Sequence, residues 1–172
     1  VTDDDDTVYL HEDDWGMIAL FPVENRKESE ATVAEAQAHG DAHRAPDGAG
    51  WTAIYVAEAP KIPITTREIR LDALAAALGP AWRRYAAVES GYSSLQEEMP
   101  GGFAFTDGQD AVYGTFEGDL VTSLAVRDAV PSVRAALARI GTKWRLQLVD
   151  LWRDEVVDLS DDTELDRYFS AE

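Results

Sequence analysis

The sequence predicts an α+β fold: a single domain with a mixed or mostly antiparallel sheet, several hairpins, and about four helices packed on the sheet. Three observations carry this expectation. Lys143 to Val149 alternates, with Trp144, Leu146 and Leu148 on one face and Lys143, Arg145 and Gln147 on the other, the period of a half-buried strand. Val112 to Phe116 and Leu120 to Val126 flank Glu117-Gly118-Asp119, a strong hairpin signal. Several such hairpins argue for antiparallel or mixed pairing over a doubly wound parallel sheet.

The elements follow in chain order. Residues 1–6 read as a flexible acidic tail and residues 7–172 as the domain. Val8 to His11 is a short strand and Met17 to Val23 a second, with Glu12 to Gly16 as the turn of a hairpin. Met17, Ala19 and Phe21 alternate with Ile18 and Leu20, so both faces of the second strand are apolar and it should be central. Asn25 and Glu28 have capping-box spacing. The helix they open should run to about His39, where Gly40 can end it. Residues 41–50 read as a loop and Trp51 to Val56 as a β-rich run. Pro60 and Pro63 keep the next stretch extended.

Asp72 can cap a short helix, Ala73 to Leu78, stopped by Gly79-Pro80. Trp82 to Val88 fits helix and strand equally. Phe103 to Phe105 begins another β region. Pro131 opens a helix with Val133, Leu137 and Ile140 on one face, closed by Gly141. Val156 to Leu159 is the expected partner of the 143–149 strand. Asp161 and Glu164 form a second capping box before a last helix with Leu165, Tyr168 and Phe169 inside.

Length and composition narrow the function classes. A chain of 172 residues suits one domain with a substantial core. It has no Cys, which excludes disulfides, thiol catalysis and Cys-based zinc sites. No apolar stretch is long enough to span a membrane, and Val1-Thr2 followed by four Asp is unlike a signal peptide. These features fit a bacterial-type cytoplasmic protein. The net charge of −18 is concentrated at the ends. Residues 1–25 hold eight acids and no Lys or Arg, and residues 154–172 hold eight acids against Arg167. Such a chain repels nucleic-acid phosphates and anionic lipid and attracts a basic protein, a cation or a polyamine.

Few constellations suggest chemistry. Glu35, His39 and His43 are spaced four apart and would line one face of a continuous helix as metal ligands, but Gly40 should break that face. Asp158, Ser160, Asp162 and Glu164 alternate like a calcium loop, yet Thr163 stands where the loop glycine belongs and Phe169 where the bidentate Glu belongs. Gly48-Ala49-Gly50-Trp51-Thr52-Ala53 lacks the strand–turn–helix setting of a dinucleotide site. Gly91-Tyr92-Ser93-Ser94 reads as a polar loop without a base nearby. Arg83 and Arg84, beside Trp82 and Tyr85, could bind a phosphate or a carboxylate, but such a pair more often sits on an exposed face and pairs with local acids. No cofactor or metal is expected.

Two functional readings remain. The first is an acidic protein-binding module that docks on a basic partner such as a toxin or nuclease, as an inhibitor or a toxin-neutralising immunity protein. Its contact site is placed at Glu12, Asp13, Asp14 and Trp15: three adjacent carboxylates raise the local negative potential, and an indole beside them is a large, low-entropy anchor. The alternative packs Trp15 inward and leaves a solvated acidic turn. The second reading is a metal-dependent or acid–base hydrolase using His11 with Glu12, Asp13 or Asp14.

Overall fold

The protein is described by a computed structural model covering residues 6–48, 50–53, 55–92 and 95–170. In chain order the strands are β1 (Thr7–His11), β2 (Ile18–Pro22), β3 (Arg83–Arg84), β4 (Ala87–Tyr92), β5 (Leu95–Glu98), β6 (Gly102–Thr106), β7 (Ala111–Glu117), β8 (Leu120–Val126), β9 (Leu146–Asp150) and β10 (Glu155–Asp158). The α-helices are α1 (Arg26–Ala42), α2 (Leu71–Leu78), α3 (Arg134–Trp144) and α4 (Asp162–Ser170).

Seven strands form a large sheet in the order β10-β9-β2-β8-β7-β6-β3, antiparallel at every step. A smaller sheet has the order β1-β4-β5, with β1 parallel to β4 and β4 antiparallel to β5. Strand alternation sorts the large sheet's side chains into two faces. Ile18, Leu20, Phe103, Phe105, Val112, Leu124, Val126, Leu146 and Leu148 point to one face, where they pack with Leu74 and Leu78 of α2, Leu137 and Ile140 of α3, and Leu165 and Tyr168 of α4. On the other face Ala104, Tyr113 and Ala125 meet Val8, Leu10 and Val88 of the small sheet. Alongside, Phe21, Val149 and Val156 meet Val33 of α1. The large sheet is thus sandwiched: three helices on one side, α1 and the small sheet side by side on the other. The α+β fold with mostly antiparallel pairing is as expected, and so are the central placement of β2 and the β7–β8 and β9–β10 hairpins.

Several local expectations are overturned for identifiable reasons. β1 and β2 do not form a hairpin. β1 pairs in parallel with β4, from Thr7↔Ala87 to His11↔Gly91, and β2 inserts between β8 and β9, where both its faces are buried. The acidic turn therefore carries the chain from one sheet to the other. Gly40 and Gly141 do not stop their helices, and Gly141 permits a close approach. A Cβ at Gly141 would sit 2.1 Å from the Leu159 Cβ, and one at Gly40 would meet the Trp51 indole nitrogen at 3.4 Å. α3 ends instead at Arg145, whose φ of 53° is left-handed. Asn25 does not cap α1: its amide bridges the backbone of Ile62, donating to the carbonyl at 2.8 Å and accepting from the N–H at 3.0 Å. Asp72 lies inside α2, which begins at Leu71.

β9 is buried on both faces, not one. Gln147, expected in solvent, lies under α1 and donates to the Ser29 hydroxyl at 2.8 Å. Trp144 belongs to the end of α3 and not to the strand. Trp51 forms only an isolated bridge with Arg44 instead of opening a strand, and Ile54 of that run lies outside the described residues. Residues 1–5 of the tail and Ala49 of the 48–53 motif also lie outside them, and Asp6 is tied to the small sheet through its carbonyl, which accepts from Ala86 N–H at 2.8 Å. Asp161 does cap α4, accepting from Thr163 and Glu164 N–H at 2.8 and 3.1 Å. Among the described residues no helix is long and apolar enough to cross a membrane.

Candidate functional site

The acidic turn is a single turn of 3-10 helix, Glu12–Asp14, closed at its N-terminus by a capping box. His11 Nδ1 accepts from Asp13 N–H at 3.2 Å, and the Asp14 carboxylate accepts from His11 N–H at 2.8 Å. This reciprocal box explains why a histidine and a carboxylate stand three apart here. Asp13 Oδ2 also lies 3.3 Å from His11 Nδ1.

The four residues singled out from the sequence divide into two pairs. Glu12 and Asp13 are exposed. Asp14 and Trp15 hold the turn down. The Asp14 carbonyl accepts from the Tyr113 hydroxyl at 2.5 Å, and the Trp15 indole N–H donates to the Ser90 hydroxyl at 2.9 Å. The Trp15 ring meets Tyr113 edge-on at 5.0 Å and packs against the core under the small sheet. Burial raises the Tyr113 phenol above its ordinary range, with the Asp14 charge adding to it. The apolar partner of the acidic turn is therefore not the adjacent indole.

That partner comes from β4 and β5. His11 pairs with Gly91, and its ring meets Tyr92 edge-on at 5.2 Å. Tyr92 is in register with Leu95, and the two are 59% and 78% exposed, which sets them apart from the inward-packed Trp15. A β-carbon at Gly91 would lie 1.9 Å from the Leu95 carbonyl oxygen, so the glycine is what lets β5 lie close over β4. Ser93 and Ser94, between Tyr92 and Leu95, lie outside the described residues.

The small sheet and its turn share one electrostatic property. Residues 7–15, 87–92 and 95–98 together hold six carboxylates (Glu12, Asp13, Asp14, Glu89, Glu97 and Glu98) and no Lys or Arg. The near-balance of the chain's middle conceals this, because residues 85–126 contain no base at all. Parallel pairing of β1 with β4 adds this base-free segment to the base-free N-terminal one. Among the described residues no ion pair meets Glu12, Glu89, Glu97 or Glu98, whereas Glu24, Glu28, Glu30, Glu155 and Glu164 elsewhere each face a Lys or Arg.

The other sequence constellations do not assemble comparable sites. α1 continues through His39, and His39 and His43 stack at 4.1 Å with His43 Nδ1 on the His39 carbonyl at 2.9 Å. Glu35 accepts instead from the Tyr55 hydroxyl at 3.3 Å. Asp158 folds back on Ser160, and Glu164 binds Arg26 and the Asp158 N–H. Among the described residues no three His, Asp or Glu side chains converge to hold a metal ion. Arg83 and Arg84 lie over Tyr85 and Phe116 respectively. A cleft of about 250 Å³ opens between α1 and the 55–61 segment, with Phe21, Val149 and Leu151 on its floor, but its rim carboxylates Glu28 and Glu35 are taken by Lys61 and Tyr55.

Comparison with protein families, with curated proteins and with solved structures finds no match to this chain.

Proposed function

We propose that this protein docks on a basic protein and neutralises it, as an inhibitor or a toxin-neutralising immunity protein does, with the small sheet and its acidic turn as the contact face. The observation that carries the reading is the coincidence of six carboxylates, no Lys or Arg, and an exposed Tyr92–Leu95 pair on one small sheet. The two parts do different work. Unpaired carboxylates set up a negative field that accelerates encounter with a basic surface and disfavours acidic competitors. Tyr92 and Leu95 offer the apolar area that, once desolvated, slows dissociation. Glu12 and Asp13 extend the charged rim. Trp15 and Asp14 keep the turn fixed, so little conformational entropy is lost on binding. A basic nuclease or other toxin, in the cytoplasm of the bacterium that makes both proteins, fits this face. A nucleic acid does not, because its phosphates carry the same sign of charge.

The experiment is co-expression with a basic nuclease-like protein, sought among the products of the neighbouring genes. The reading expects growth inhibition by that protein alone, relief by this chain, and a stable complex on gel filtration. It expects relief to be lost when Tyr92→Ala and Leu95→Ala are combined with Glu12→Lys and Asp13→Lys. Unimpaired relief by that folded combination would overturn it.

A further inference from the structure

We propose that the cleft between α1 and the 55–61 segment seats one arginine side chain of the partner. This rests on the docking reading above and adds to it a specific anchor point beside the acidic turn.

The cleft has a volume of about 250 Å³. That is below the roughly 300 Å³ at which sites for drug-sized ligands begin, and it suits a single long side chain. Its floor is apolar, made by Phe21 of β2, Val149 of β9 and Leu151. An aliphatic stem can lie on such a floor while its charged head stays at the rim. Gly16 also lines the cleft, and the Met17 carbonyl accepts from Leu151 N–H at 2.8 Å. The chain leaving the acidic turn therefore runs along the cleft, and a partner seated on the turn lies beside it.

The rim selects the head group. Glu28, Glu35 and Glu58 line it against Lys61 alone, so two carboxylate charges are in excess. Lys61 bonds Glu28. Glu35 accepts from the Tyr55 hydroxyl at 3.3 Å, a neutral donor that leaves its charge uncancelled. Among the described residues no ion pair meets Glu35 or Glu58, in contrast to Glu28. Desolvation raises the Tyr55 phenol above its ordinary range, and the charges of both Glu35 and Glu58 raise it further, so the two carboxylates act at one place. A guanidinium there can bond carboxylates through its planar fork and stack on the Tyr55 ring. It is also more weakly hydrated than an ammonium, which suits a half-enclosed setting. A purely apolar side chain would leave the excess charge unmet. A second copy of this chain is disfavoured by its net charge of −18, and the chain's own Asp3-Asp4-Asp5 carries the same sign as the rim.

The test uses three probes: capped Gly-Gly-Arg-Gly-Gly, the same peptide with norleucine in place of Arg, and butylguanidine. Binding is followed by NMR on the isotope-labelled full chain at low salt. The inference expects the arginine peptide to give saturable shifts at the Val149 and Leu151 methyl groups. Its affinity should exceed that of the norleucine peptide by about ten-fold or more, through the charged head group. Raising the salt should weaken the arginine peptide and leave the norleucine peptide nearly unchanged. Glu35→Gln combined with Glu58→Gln should lower the affinity for arginine about five-fold or more. Ala31→Trp, which fills the cleft from an exposed position on α1, should abolish the shifts. Because the peptide pair leaves the protein unaltered, the test stands even if a variant fails to fold. Equal affinity for the two peptides, no saturable shift at millimolar arginine peptide, or binding without shifts at Val149 and Leu151 would overturn the inference. Butylguanidine binding about ten-fold or more tighter than the arginine peptide would overturn it too, since the cleft would then serve a free guanidine. The docking reading would survive each of these results, because it requires only the small sheet and its turn. Its own failure shows in the co-expression experiment, as unimpaired relief by the small-sheet variant.

Discussion

Replacing Trp15 by Ala tests how the acidic turn is anchored. The indole is half-buried, packed edge-on against Tyr113 at 5.0 Å, with its N–H on Ser90 at 2.9 Å. Losing about 100 Å² of buried aromatic surface at about 25 cal/mol per Å² costs about 2.5 kcal/mol. Loss of the edge-on ring contact adds about 0.5–1 kcal/mol. The freed Ser90 hydroxyl can turn to water entering the vacated space and adds little. A total of about 3 kcal/mol lowers the melting temperature by roughly 6–12 °C in a domain of this size. Differential scanning calorimetry measures this directly. Tyr92→Ala provides the contrast: the side chain is 59% exposed, and its removal should shift melting by about 1 °C or less. A Trp15→Ala shift below about 2 °C, or one matched by Tyr92→Ala, would refute the division of these aromatics into an anchor and a contact residue.

Three further outcomes follow from buried polar and close-packed groups. Asp110 is fully buried and accepts from the Ala111, Asp128 and Val130 N–H groups at 2.7, 3.1 and 3.1 Å, so Asp110→Asn, which sets an amide donor against one of them, should cost about 1–3 kcal/mol in urea unfolding. Burial, outweighing those three bonds, raises the Asp110 carboxyl above its unfolded value of about 3.9. Its stabilising contribution is thus fully present below about pH 3.9 and is lost as pH rises through the folded pKa; the Asn penalty should shrink over that interval, and a penalty growing with pH would contradict the assignment. Of six tyrosines, Tyr113 and Tyr168 are held neutral mainly by burial, Tyr168 also by its hydroxyl donating to Asp150 at 2.6 Å. Their phenols should stay silent in an ultraviolet titration until alkaline unfolding, stability being lost as pH rises above the unfolded tyrosine value of about 10. Gly141→Ala places a methyl group 2.1 Å from the Leu159 Cβ and should cost about 1–3 kcal/mol by chemical denaturation; a neutral effect would show that the α3–Leu159 approach is looser than described.

What was legible in the sequence was local. The β7–β8 hairpin announces itself because Gly118, at φ 65°, and Asp119 close it between two apolar runs. The two-sided apolar pattern of β2 marks a central strand without naming its neighbours. The errors arise where a residue serves a partner distant in sequence. Gly141 looks like a helix stop, but it is small because Leu159 lies against it. Gln147 looks like a solvent-facing residue, but its hydrogen-bond partner is Ser29, 118 positions away.

The site follows the same division. The three carboxylates after His11 were visible as a charged turn. The exposed Tyr92 and Leu95 were not, because parallel pairing of β1 with β4 brings them there from a stretch without clear periodicity. The signal that would have pointed to them is the absence of Lys and Arg between residues 85 and 126, which a balanced charge count over residues 26–153 obscures.

The most direct test of the central claim is the association rate with the basic partner, measured across ionic strength for the wild type and for a triple variant, Glu12→Lys, Asp13→Lys and Glu97→Lys. All three side chains are exposed, so the variant should melt within about 2 °C of the wild type. The account predicts an association rate about ten-fold or more lower for the variant at low salt, with the difference closing as the Debye length falls toward about 3 Å near 1 M salt. Equal association rates for wild type and variant at every salt concentration would show that the small sheet does not steer binding.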